Sequence, residues 1–479
     1  MSNLSELLPA GGGGKNVEFV ASGTLGNGAT VILNSDGTVT GVGIVAGGLG
    51  SASVFESGST DSTAMVYDTT NNKVVVVYAD WGDSGYGKAV VGTISGTTIS
   101  YGTPVVFNGS GSVSNMSIAF DSTASKVVIA YRGTSNDGNA IVGTVSGTAI
   151  SFGTMATFNS GSTTQTGATY DTSNDKTVIV FKDSANSGYA ASIVGTISGT
   201  SISFGTEVII KSASISYTGV SYDSTVNKVV TTYNSGDTGL SRVGTVSGTS
   251  ISFGTEATFV SSNAIQIKSN HDPVANKTVI VYRDNSNSSY GTAVVGTVSG
   301  TGISFGSATV FKAAAVEFIN VVYNIGTGKS VISYRDQNAG SGAYISGTIS
   351  GTGISFDSSA DYSTTAIYNS AAYDPVGGKV VFSFADTSNS NYGTTKLLYP
   401  AATNLTSTNF LGITDAAISS GASGSVTIKG GLKSGLSSLT PNSIYYTQGD
   451  GSISTVSTSP AVRIGKALSS TTLNLEFSS

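Results

Sequence analysis

Seven copies of one short pattern, almost evenly spaced, limit this chain more than any other feature. An aromatic residue (His once) followed by an acid, four variable residues and a Lys heading an apolar run occurs as Tyr67-Asp68…Lys73, Phe120-Asp121…Lys126, Tyr170-Asp171…Lys176, Tyr222-Asp223…Lys228, His271-Asp272…Lys277, Tyr323-Asn324…Lys329 and Tyr373-Asp374…Lys379. The Asp, replaced by Asn324 in one copy, precedes the Lys by five residues every time, and successive copies lie 53, 50, 52, 49, 52 and 50 residues apart. A fixed period of that length marks a supersecondary unit that buries its apolar surface only by packing on its neighbours.

A second pattern, Val-Gly-Thr-x-Ser-Gly-Thr-x-Ile-Ser-Phe-Gly, recurs in register at 91–102, 142–153, 194–205, 243–254 and 295–306, with a weaker copy at 346–357. Together the two patterns predict four strands per unit. The first ends at the Tyr-Asp, whose carboxylate can bond the backbone two residues on and so close a tight turn. The second is the apolar run after the Lys, such as Lys73-Val74-Val75-Val76-Val77-Tyr78. It barely alternates, so both its faces should be buried. The third runs into Ser-Gly-Thr, a hairpin with Gly at the position that needs a positive φ, and the fourth is the Ile-Ser-Phe-Gly segment. Four short strands in about 50 residues, repeated seven times, predict an all-β fold built on a seven-bladed β-propeller.

The seventh unit lacks the Ser-Gly-Thr hairpin and stops after a third strand near 393–399. Ser53-Val54-Phe55-Glu56, ahead of the first Tyr-Asp, resembles the fourth-strand tail Pro104-Val105-Val106-Phe107-Asn108. This predicts that an N-terminal strand completes the last blade and leaves no open sheet edge. The domain boundaries expected on this reading are 1–25 for an N-terminal docking peptide and linker, 26–400 for the propeller, and 401–479 for a small C-terminal β domain. In the peptide, Leu4, Leu7 and Leu8 are the candidate apolar contacts ahead of a run of Gly.

Composition narrows the function. Charged residues are only 10% of the chain and the net charge is −6, with no basic cluster, which excludes a nucleic-acid surface. There is no Cys, hence no disulfide and no thiol chemistry. The first ten residues lack the charged and apolar regions of a signal peptide, and no run is long enough to insert in a membrane.

The opening MSNLSELLPAGGGGKNVEFVASGTLGNGATVILNSDGTV, the repeat YDSTVNKVV…VGTVSGTSISFGTE and the ending LTPNSIYYTQGDGSIST…VRIGKALSSTTLNLEF resemble virion structural and tail-fibre-like proteins of marine, especially cyanobacterial, tailed bacteriophages with Gly/Thr-rich repeats. The resemblance implies a virion component assembled in the host cytoplasm, in a tail fibre or appendage that contacts the host surface or serves assembly. A capsid-decorating protein and a non-viral carbohydrate-binding lectin are the alternatives. It also implies other virion proteins as partners through the N-terminal peptide, further copies of the chain within the particle, and host surface glycans. It transfers no catalytic motif.

The residues themselves speak for binding rather than catalysis. The single His, His271, stands where the other repeats have Tyr or Phe, so it is first a packing residue and cannot be assumed to serve a triad. Zinc sites of His and Cys are excluded by count, and the Asp-rich loops lack the spacing of a calcium loop. No metal or cofactor is therefore expected. Most acids recur in register, as do the repeat Asp residues, Glu207 and Glu256, and a repeated residue is first a structural one. The sialidase-type Ser-x-Asp-x-Gly-x-Thr-Trp box is absent. What varies is the loop after the second strand, at 80–86, 183–189, 284–290 and 386–392. Its candidate ligand contacts are Trp81 (the only Trp), Asp83, Tyr86, Tyr189, Tyr290 and Tyr392.

Overall fold

A computed structural model of the chain describes residues 15–458 and 460–476. These residues divide into two compact units, one of residues 49–400 and one of residues 15–48 with 401–476. Both are built of antiparallel strands, and no helix among the described residues is long and apolar enough to cross a membrane.

In the larger unit the repeat is a blade-like four-stranded sheet. The second copy serves as the type. Its inner strand Ser114–Asp121 pairs with Lys126–Arg132, which pairs with Gly138–Ser146. The fourth strand is in two pieces on the same edge, Ala149–Phe152 and Ala156–Asn159, separated by Gly153-Thr154-Met155. The second strands barely alternate because both faces are covered: every residue of Lys73–Asp80 after the Lys is buried.

The repeated acid does what a short polar side chain does best at a turn. Oδ1 of Asp171 accepts from the backbone N–H of Ser173 (2.9 Å) and Asn174 (3.0 Å), and the corresponding Asp oxygens in the other copies accept the same two amides. The residue before each Lys then takes a left-handed conformation, as Asn72, Asp175 and Asn227 do. That geometry favours Asn, Asp, Ser and Gly, the residues present.

Three kinds of contact recur between successive repeats, though not all at every junction: Ile210 stands in place of the Phe in the third repeat, Phe120 has no hydroxyl, and the seventh repeat has no hairpin. First, the fourth-strand Phe of one repeat packs on the second-strand aromatic of the following one: Phe107 on Tyr131 at 5.2 Å, Phe158 on Phe181 at 5.1 Å. Each such Phe covers a third-strand Gly of its own repeat, and a Cβ on Gly138 would lie 2.4 Å from the Phe158 ring. Second, the Gly of Ile-Ser-Phe-Gly receives the next repeat's hairpin. A Cβ on Gly153 would stand 1.8 Å from the Thr200 carbonyl oxygen, a distance no side chain tolerates. Third, the aromatic of Tyr-Asp reaches the preceding turn. The Tyr170 hydroxyl lies 2.7 Å from Thr123 Oγ1 while donating to Asp175 Oδ1, also at 2.7 Å, and Gly326 N–H donates to the Tyr373 hydroxyl at 3.1 Å.

The seventh repeat, Ile367–Asp374, Lys379–Asp386 and Tyr392–Tyr399, has no fourth strand of its own. Its third strand pairs instead with the first half of Ser53–Asp68, with Tyr392 opposite Ser59, Gly393 opposite Glu56 and Thr394 opposite Val54. The second half of that 16-residue strand is the inner strand of the first repeat. The weak sixth copy of the second pattern also has a reason. Asp357 replaces the Gly because the seventh repeat has no hairpin to press on it, and its carboxylate instead takes the Lys329 ammonium at 2.7 Å.

The smaller unit corrects the expected domain boundary at 25/26. Residues 16–20 are not linker, and residues 26–48 do not belong to the repeat array. Asn16–Val20 pairs with Ser423–Ile428, and Thr30–Leu33 pairs with both Val39–Gly41 and Phe410–Thr414 in one five-stranded sheet. A second five-stranded sheet holds Leu432–Lys433, Ile444–Gln448, Ile453–Ser454, Ala461–Ala467 and Leu473–Leu475. Val31, Val39, Leu411 and Val426 form one apolar core of this unit, and Phe410, Ile413, Ile464 and Leu475 form another.

Candidate functional site

The inner strands of all seven repeats line two cavities, one of about 650 Å³ that reaches the Tyr-Asp turns and one of about 400 Å³ at the opposite strand ends. The smaller cavity lies on the side of the variable loops, since the start of each inner strand pairs with the end of the second strand that feeds the loop, as Thr60 does with Asp80.

Counting six residues back from each repeat Asp gives Ser62, Asn115, Gln165, Tyr217, Gln266, Phe318 and Tyr368, all half-buried and all lining the smaller cavity. Six of them, all but Tyr217, hold a left-handed conformation that non-glycine residues rarely adopt. A break in strand register accompanies each of the six. The bulge turns a peptide toward the neighbouring repeat, where it is bonded: Asn115 Oδ1 accepts from Gln165 N–H at 3.0 Å, Gln266 Oε1 from Phe318 N–H at 2.6 Å, and the Thr166 hydroxyl donates to the Asn115 carbonyl. Recurring in six repeats, the bulge is first a feature of the fold, and it sets these side chains around one cavity mouth.

Two positions further along stand Ala64, Ser117, Gly167, Gly219, Lys268, Asn320 and Ser370. Among the described residues Lys268 is the only Lys, Arg, Asp or Glu lining either cavity, and it makes no ion pair with any of them. Its side chain is solvent-accessible inside the cavity, and desolvation by the strands around it pulls its ammonium below the ordinary lysine range. Asn369, 8% exposed, lines both cavities, and neither its Nδ2 nor its Oδ1 has a hydrogen-bond partner among the described residues.

The loop residues expected from sequence are placed differently. Trp81 opens a single turn of 3-10 helix and is 53% exposed. Asp83 in the same turn pairs with Lys88 at 3.0 Å, so its charge is already used. Tyr86, Tyr189, Tyr290 and Tyr392 each begin a third strand, half-buried, opposite Asp80, Asp183, Asp284 and Asp386. They belong to four different repeats and line neither cavity. Leu4, Leu7 and Leu8 lie outside the described residues. Sequence reading missed Lys268, Asn369 and the bulge residues, although aligning the repeats backwards from Tyr-Asp displays them as the positions where the copies disagree.

His271 keeps the packing role of the Tyr it replaces and adds a titratable one. It is buried, its Nε2 lies 3.1 Å from Thr225 Oγ1 and 3.3 Å from Asp223 Oδ1 of the preceding turn, and Nδ1 has no partner. Burial pushes its pKa below the ordinary value, against the raising effect of Asp223 and Asp272. Below about pH 6.5 the unfolded chain therefore takes a proton that the folded chain resists, and stability falls as the pH drops through that region. His271→Tyr removes this contribution. Melting temperatures at pH 7.5 and pH 5.0 should differ less in the variant than in the parent, and an equal drop in both would refute the assignment.

No protein-family model and no curated protein matches the chain. Among solved structures it is similar to the Myceliophteria thermophila Cps50 (Swd1) β-propeller domain, with a TM-score of 0.49 and 8% identity over 73% of this chain and 99% of that one. It is similar to the Dos1 propeller with a TM-score of 0.45 and 8% identity over 74% and 95% of the two chains. To the NanB sialidase from Streptococcus pneumoniae the values are 0.41 and 12%, over 72% and 70%.

Proposed function

We propose that residues 49–400 form a closed seven-bladed β-propeller that serves as a rigid binding scaffold in a bacteriophage virion, in a tail fibre or similar appendage. The observation that carries the ring is the recurrence, between the seventh and first repeats, of every contact that joins successive repeats. Phe55 packs on Tyr78 at 5.1 Å and covers Gly393. A Cβ on Gly50 would stand 2.0 Å from the Thr97 carbonyl. Tyr67 bonds Asp374, and the Thr63 hydroxyl bonds the Tyr368 carbonyl.

Binding is favoured over catalysis because the repeated Asp residues are committed to turns and several other acids to ion pairs. Glu256, for example, accepts from the Tyr233 hydroxyl and the Lys211 ammonium, both at 2.8 Å. The virion assignment rests on the resemblance of both chain ends and of the repeats to phage structural proteins, and it makes other virion proteins, further copies of the chain and host glycans its partners. Immunogold labelling of purified particles tests it. Label on the tail or its fibres supports the proposal, label on the capsid shell moves the role to decoration, and particles without label overturn the virion reading.

A further inference from the structure

The loop-side mouth of the cavity holds groups that the fold leaves unused. Lys268 carries a charge with no counter-ion among the described residues, and in the other six repeats its position is filled by Ala, Ser, Gly or Asn. The acids near the mouth are already taken: Asp61 accepts from Ser62 and Tyr368, and Glu317 from Arg335 at 3.0 Å. Asn369 buries a complete, unpartnered amide, and such a group normally finds a partner because leaving it bare costs free energy. Beside them Phe318 and Tyr368, half-buried, set their rings 5.0 Å apart.

One cation, one free amide and an aromatic pair around about 400 Å³ of space describe a small ligand rather than a macromolecular surface. A nucleic acid would need several cations, and this cavity has one. The ligand needs a single negative charge for Lys268, a hydroxyl that both donates and accepts for Asn369, and an apolar ring face for the aromatic pair. We propose that the mouth binds an acidic monosaccharide, with its carboxylate on Lys268, a hydroxyl on Asn369 and its ring against Phe318 and Tyr368. This assignment rests on the propeller reading above and names the ligand class for it.

The test is calorimetric titration of the full chain with D-glucuronate, D-glucose and acetate, in the parent and in Lys268→Met, Asn369→Ala and Trp81→Ala. Glucuronate should bind, glucose and acetate should bind at least about tenfold more weakly, and Lys268→Met should weaken glucuronate by about tenfold or more, since a charge-assisted bond is lost. Asn369→Ala should weaken it less, and Trp81→Ala should not change it. Absence of glucuronate binding, equal binding of glucose, or no effect of Lys268→Met overturns the proposal, and acetate binding as tightly as glucuronate overturns its sugar half. Melting temperatures establish that the variants are folded. Phe55→Ala tests the ring separately, so a closed ring that ignores glucuronate fails this inference alone.

Discussion

Replacing Phe55 by Ala should lower the unfolding free energy by about 3–5 kcal/mol, the usual cost of deleting a buried Phe side chain. The ring is 6% exposed, lies 5.1 Å from Tyr78 and 5.8 Å from Tyr101, and covers Gly393. Phe158 has the same surroundings inside the array, with Phe181 at 5.1 Å, Phe204 at 5.9 Å and Gly138 beneath it. The comparison decides the architecture. In a closed ring the two Ala variants lose similar stability, because both sites are interior. In an open array residues 53–59 would be a frayed edge, and Phe55→Ala would cost within about 0.5 kcal/mol of nothing, as surface changes do. Equilibrium denaturation of both variants beside the parent gives the answer. A Phe55→Ala variant as stable as the parent would remove the proposed closure.

The repeat was legible in the sequence because its causes are local. An Asp at a turn bonds amides two and three residues on, a hairpin Gly takes a positive φ, and a buried strand lacks alternation; each can be seen within ten residues. The strand 53–56 was also legible, because it imitates a neighbour's sequence. What could not be read was pairing between distant segments without repeats to compare. Thr30–Leu33 finds its partner at Phe410–Thr414, and no local pattern ties the two, so residues 26–48 were assigned to the wrong unit. The cavity failed for the opposite reason. Attention to what the copies share leads to turns and strands, whereas Lys268 and Asn369 are visible only as departures from the shared pattern. The loop aromatics were conspicuous in sequence, yet Tyr86 and its equivalents are the first residues of strands, fixed by hairpin register.

Replacing Asp374 by Ala should lower the unfolding free energy by about 2–4 kcal/mol, since each of the three hydrogen bonds its carboxylate accepts contributes about 0.5–1.5 kcal/mol net. Asp374 is 3% exposed and accepts from Val376 N–H at 2.9 Å and Gly377 N–H at 3.0 Å. It also bonds the Tyr67 hydroxyl of the first repeat, whose pKa is raised first by burial and then by this carboxylate. One side chain thus closes its own turn and ties the last repeat to the first. Asp374→Asn separates these effects from charge, because an amide oxygen can still accept the two backbone bonds. The sixth repeat already uses Asn324 in this place, with Thr327 N–H donating to its Oδ1 at 3.2 Å. The Asn variant should therefore lose less than about 1 kcal/mol, near the net contribution of a single hydrogen bond. Tyr67→Phe should lose a similar amount, and adding it to Asp374→Ala should cost less than the sum of the two single changes, because both remove the same bond. Strict additivity in that cycle would mean that Tyr67 and Asp374 do not act on each other, and the repeated Tyr-Asp would then be a turn and nothing more.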